Sequence, residues 1–132
     1  MNQVFGTAVL MIATLFCLLT TWRSGTEPNL FAERLGLTVA NPGGVNEIRA
    51  QYAGFFLAVA LLCGASLAGY VSRPVTFTVL IVVFGGLLAG RLVSFLVDGG
   101  MTGYGVTIRA LYAIDAVGFA LALAARLSDS SA

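Results

Sequence analysis

Four stretches of about 20 consecutive apolar residues, set apart by short polar breaks, constrain this chain more than any other feature in it. They cover residues 4–22, 48–71, 75–97 and 105–125. At about 1.5 Å per residue, each makes a helix close to 30 Å long, one hydrocarbon thickness of a bilayer. Together with three connections they use nearly all of the 132 residues. Only 10% of residues are charged, against about a quarter in a soluble domain. A soluble fold would lack the polar surface to cover its core. The expected architecture is all-α: one integral membrane four-helix bundle spanning 1–132, with up-down topology.

The breaks carry recognisable end signals. Trp22-Arg23 is the aromatic-plus-charge ending of a span at the membrane interface. Residues 1–24 do not read as a cleaved signal peptide. No Lys or Arg precedes Phe5, the apolar run is too long, and Thr20-Thr21-Trp22-Arg23 offers no small-residue cleavage site. The one long connection covers 23–46. Pro28 suits the first position of a helix, and over 29–37 Leu30, Phe31 and Leu35 can share a face turned away from Glu33 and Arg34. A short interfacial helix fits that pattern, and so does an irregular loop tucked onto the bundle. Asn41-Pro42-Gly43-Gly44 is expected to break the chain. Asn46 then serves as N-cap to the second span, with Glu47 at the positive end of its dipole. Ser72-Arg73-Pro74 is a turn so short that spans two and three must be antiparallel neighbours.

Several function classes lack the residues they need. All seven basic residues are Arg and they are scattered, so no nucleic-acid footprint is present. There is no His, and no metal set, phosphate loop or nucleophile–base pair is visible, so no enzyme, metal or cofactor is expected. Cys17 and Cys63 lie in different spans without a C-x-x-C motif and read as small buried apolar side chains. Thr7, Thr14 and Thr21 recur at heptad spacing, with hydroxyls expected to bond back to their own helix. Small residues at Gly54, Gly64, Gly85, Gly86 and Gly90, including the Gly86-x-x-x-Gly90 motif, mark expected helix-packing positions within the chain.

Two charges stand inside the apolar runs. Placing Arg91 or Asp115 in the apolar centre costs about 2.5–3.5 kcal/mol each, and more if unpaired. Spans three and four are joined by a short connection, which puts Arg91 about 9 Å and Asp115 about 13 Å below the same surface. An Arg side chain bridges that difference, so the two should pair. Ser94 and Asp98 share the helical face of Arg91, and Tyr112 lies one turn from Asp115. Glu47, Arg49 and Tyr52, at the start of span two, are expected on the same side of the membrane. This polar cluster is either a clamp that locks helix register or a ligand site.

The order Glu47-Ile48-Arg49-Ala50-Gln51-Tyr52-Ala53-Gly54, then Gly85-Gly86, Gly90-Arg91, Asp98-Gly99 and the acid Asp115 resembles the bacterial small membrane proteins of domain-of-unknown-function family 4345. That family usually has Gly at the position of Ala53 and Glu at that of Asp115. The resemblance implies four helices and cytoplasmic termini in the bacterial inner membrane, with the polar cluster facing the periplasm or cell exterior. The local Arg count leans the other way, since Arg23, Arg34, Arg49 and Arg109 would then lie outside. No activity comes with the family. The leading expectation is a non-enzymatic accessory or binding module for a lipid or small amphiphile, with another membrane protein or a second copy as possible partner. The alternative is a small oligomeric transporter with Asp115 as coupling carboxylate. A guanidinium neighbour favours the ionised form of a carboxylate, which weighs against proton coupling.

Overall fold

The computed structural model describes residues 2–130, and every regular element among them is helical. Helix α1 covers Asn2–Thr26, α2 Pro28–Arg34, α3 Pro42–Ile48, α4 Phe55–Leu67, α5 Arg73–Asp98 and α6 Val106–Ser130. A π-helical segment, Arg49–Gly54, joins α3 to α4, so the chain runs helically from Pro42 to Leu67. Four helices are thus long and apolar enough to cross a membrane. Large apolar side chains such as Val4, Leu15, Leu61, Val82 and Leu96 stay exposed. A water-soluble surface of this size would carry charge there.

The helix ends follow local chemistry, and two differ from the sequence expectation. The second span begins at Pro42, with Asn41 as its N-cap: the Gly44 amide donates to the Asn41 side-chain oxygen at 3.2 Å. Pro42 occupies the first turn, where its missing N–H is no loss. Asn41-Pro42-Gly43-Gly44 therefore starts the helix, and Asn46 lies inside it. The same span stops at Leu67, short of residue 71. Gly69 takes a left-handed φ of 84°, and the Tyr70 and Gly69 amides bond the Ala65 and Ser66 carbonyls. That closing motif needs a residue without a Cβ penalty. Ser72-Arg73-Pro74 supplies the N-cap and first turn of α5. The short helix after Pro28 forms, with Pro28 and Ala32 buried, while Leu30 is exposed and Phe31 half-buried.

The chain divides into two compact units. The first contains the described residues 2–9 and 71–130. Its main pairing is α5 against α6, and the contacts step in opposite directions along the two helices. Phe84 meets Gly118, Phe119 meets Gly85, and Arg91 meets Tyr112 and Asp115. The helices are therefore antiparallel. Arg73 ties in the start of α1, donating to the Gln3 carbonyl at 3.1 Å and the Thr7 hydroxyl at 2.9 Å.

The second unit covers residues 10–70. Here the rest of α1 runs antiparallel to the second span: Arg49 bonds Gly25, Thr21 bonds Ala53, and Phe16 meets Phe56 edge-on at 6.1 Å. Cys17 and Cys63 are buried free thiols in this core. Thr7 and Thr14 bond back to the Gln3 and Leu10 carbonyls as expected. Thr21 does not: its hydroxyl donates across to the Ala53 carbonyl at 3.1 Å. Ala53 lies in the π-helical segment, where the regular hydrogen-bond ladder is interrupted and a carbonyl can accept from outside.

Candidate functional site: a buried arginine–aspartate pair

Helix α5 carries Arg91 seven residues before its end, and α6 carries Asp115. Their antiparallel register brings the two together. Arg91 Nε donates to Asp115 Oδ2 at 2.5 Å, with the Asp115 side chain 3% exposed and that of Arg91 22% exposed. A buried carboxylate in apolar surroundings needs such a partner, because unpaired burial of either charge is far more costly than burial of the pair. Tyr112, one turn before Asp115, lends two further contacts. Its hydroxyl donates to the Arg91 carbonyl at 2.7 Å, and its ring centroid lies 5.8 Å from the guanidinium carbon. That distance is within cation–π range. Side chain and backbone of Arg91 are thus held by the same turn of α6.

A second polar group lies toward the end of α5. The Ser94 hydroxyl donates to Asp98 Oδ2 at 3.0 Å, one helical turn on. Tyr104, from the connection between α5 and α6, donates its hydroxyl to the same oxygen at 2.5 Å and lies 3.1 Å from Ser94 Oγ. The Tyr104 ring stacks, tilted, 6.0 Å from that of Tyr112, which links the two groups. Donating to Asp98 pushes the Tyr104 phenol up to about 12, with lesser contributions from Tyr112 and the Asp98 charge in the same direction. Arg109 fastens the connection by donating to the Tyr104 and Met101 carbonyls, each at 3.2 Å.

Arg91, Ser94, Asp98, Tyr112 and Asp115 therefore form one connected set in the first unit. Tyr104 and Arg109 complete it, and sequence reasoning passed over both. Tyr104 sits in a Gly-rich stretch that reads only as a loop, and its role depends on a turn built with left-handed φ angles at Gly99, Gly100 and Gly103. Arg109 reads as a boundary charge. Glu47, Arg49 and Tyr52 belong to the second unit. There Arg49 bonds the Gly25 carbonyl, Tyr52 meets the Phe31 ring at 5.0 Å, and Glu47 is exposed.

The packing glycines need correcting. A Cβ on Gly85 would meet the Phe119 ring at 3.1 Å, so Gly85 is a close-contact position. Gly64, Gly86 and Gly90 have no neighbour within 4 Å of that point, and Gly54 meets only the Arg49 carbonyl of its own segment. The bulky partners decide this. A Cβ on Gly118 would meet the Phe84 ring at 2.8 Å, so Phe84 lies over Gly118 as Phe119 lies over Gly85, a reciprocal ring-on-glycine arrangement that turns Gly86 and Gly90 outward. Gly118 begins a small-x-x-x-small pattern with Ala122 that the sequence reading did not single out.

Among the described residues, no three His, Cys, Asp or Glu side chains are grouped to hold a metal ion. The model of the family described as "Domain of unknown function (DUF4345)" matches residues 5–112. The chain belongs to that family. The DUF4345 match takes in Arg91, Ser94, Asp98, Tyr104 and Tyr112 and stops three residues before Asp115. No curated protein and no solved structure matches the chain.

Proposed function

We propose that this DUF4345 chain is a non-enzymatic membrane module that binds the polar part of an amphiphile at the Arg91–Asp115 pair. One observation carries the reading. Of the three Arg91 nitrogens, the structure engages Nε with Asp115 and leaves the two terminal amines without a hydrogen bond to any described residue, in a side chain that is still 22% exposed. A guanidinium makes up to five N–H donations. Donors left open at membrane depth call for an acceptor. The pair is neutral overall, so the matching ligand is an ester, carbonyl or phosphodiester oxygen of a lipid or lipid-like molecule. Ser94, Asp98 and Tyr104 give the site a polar mouth toward the end of α5. We place the protein in a bacterial cytoplasmic membrane with cytoplasmic termini, where another membrane protein or a second copy would be its partner.

Native mass spectrometry of the detergent-purified full chain tests the assignment. Wild type should retain a lipid or lipid-like adduct, and Arg91→Lys, which keeps the charge but replaces the planar fork with one compact ammonium drawn to Asp115, should retain less of it while staying folded. Unchanged adduct retention in the Arg91→Ala/Asp115→Ala double variant would leave the pair with a purely structural role and sink the reading.

A further inference from the structure

In the second unit, a cleft of about 540 Å³ opens between α2 and the start of the second span. Its polar lining is Asn29 from α2, the cap Asn41, Asn46 from α3 and Arg49 from the first position of the π-helical segment; Val39, Ala40, Pro42 and Val45 form an apolar wall. No carboxylate lines it among the described residues, so the cleft carries the single positive charge of Arg49.

Arg49 is held in a defined pose. Its Nε donates to the Gly25 carbonyl at 3.2 Å, in the last turn of α1. A helix end exposes carbonyls without helical partners and the negative end of its dipole, and the guanidinium satisfies one of them edge-on. That contact fixes the plane of the group and leaves both terminal amines unengaged by any described residue. The side-chain amides of Asn29 and Asn46 likewise have no hydrogen-bond partner among the described residues, whereas Asn41 spends its oxygen on the Gly44 amide. Oriented guanidinium donors and free carboxamides around one space match a tetrahedral oxyanion, for which a planar guanidinium offers paired donors. The apolar wall beside them matches carbon attached to that anion. Residues 42–67 form a helix long and apolar enough to cross a membrane, and the beginning of such a helix belongs at the level of phospholipid headgroups.

We infer that this cleft is a binding site for a phosphate group, separate from the Arg91–Asp115 pair and selective for anionic over zwitterionic phosphates. The lack of a counter-charge in the lining sets that selectivity. A zwitterionic headgroup brings its own cation into a cleft that has no acid to receive it.

The full chain in nanodiscs of phosphatidylcholine, with and without a fraction of phosphatidylglycerol, provides the test, read as lipid retained on native mass spectrometry. Wild type should retain phosphatidylglycerol about tenfold better than Arg49→Gln, in line with losing one charge-assisted hydrogen-bond pair. Gln keeps an N–H for the Gly25 carbonyl. Asn46→Asp, an exposed helical position that leaves the Gly25 contact alone, should lose the preference equally by placing a carboxylate in the cleft. Inorganic phosphate added to phosphatidylcholine discs separates the sources. Arg49-dependent protection by phosphate alone identifies free phosphate, and phosphatidylglycerol retention indifferent to added phosphate identifies a headgroup. Equal retention of both lipids by wild type, or a preference that survives in both variants, overturns the site.

Discussion

The two units satisfy their polar groups in different ways. In the first, α5 and α6 bring side chains to side chains: Arg91 to Asp115, and Ser94 and Tyr104 to Asp98. In the second, side chains answer backbone: Thr21 bonds the Ala53 carbonyl and Arg49 the Gly25 carbonyl. A carbonyl in the middle of a regular helix is already bonded and offers at most a shared second acceptance, as that of Arg91 gives Tyr112, so the charged groups of α5 and α6 answer each other. The π-helical segment and the end of α1 leave acceptors that single side chains can reach. Arg91, inside the helix pair, is consequently anchored to a charge, while Arg49, beside the backbone irregularity, is anchored to a carbonyl, and each keeps its terminal amines in reserve.

The largest expected effect breaks the first arrangement. Asp115→Ala strands the Arg91 guanidinium and should lower stability by about 3–5 kcal/mol, read as thermal denaturation in detergent. Adding Arg91→Ala should recover much of that loss, because the two changes share one interaction. Full additivity would show that the pair is not coupled. Next comes packing. Gly118→Ala drives a methyl against the Phe84 ring and should cost about 1–3 kcal/mol. Gly86→Ala meets open space and should be neutral or gain up to about 1 kcal/mol through helix propensity. The reverse ranking would contradict the reciprocal ring-on-glycine contact.

Thr21→Val probes the second arrangement by removing a hydroxyl that bonds another helix, and should cost about 1 kcal/mol. Thr20→Val removes a bond to its own helix, from the Thr20 hydroxyl to the Phe16 carbonyl, and should change stability less. The smallest effect is the titration of Tyr104. Its phenol is neutral while it donates to Asp98, and that bond raises it from 10.0 to about 12. A raised folded value means the stabilisation is complete below pH 10 and fades as pH climbs through 12. Phenolate absorbance, with Tyr104→Phe as the blank, should show this late titration in wild type and a return toward 10 in Asp98→Asn.

The four spans were legible because length and lack of charge are properties of residue counts. The Arg91–Asp115 contact was legible too, since two helices joined by a short connection share one depth scale. Other features depended on three-dimensional choices that residue type leaves open. Asn41 and Asn46 are equally good caps by chemistry, and Pro42 decided between them by fitting a first turn. Which glycines face a neighbour was set by where Phe84 and Phe119 point, and spacing alone does not say that. The destination of the Thr21 hydroxyl depended on a backbone irregularity that composition does not signal.

That irregularity has a bearing on how the second span tolerates change. A π turn holds one residue more than an α turn of equal rise. Deleting a single residue between Arg49 and Gly54 would let this stretch relax to an ordinary turn of the same rise, leaving the helix on either side in its present phase. Arg49 would keep the Gly25 carbonyl and Phe56 its seat beside Phe16, while the Ala53 carbonyl would be drawn into the ladder and away from Thr21. The extra residue thus exchanges one rung of the ladder for a bond to a neighbouring helix.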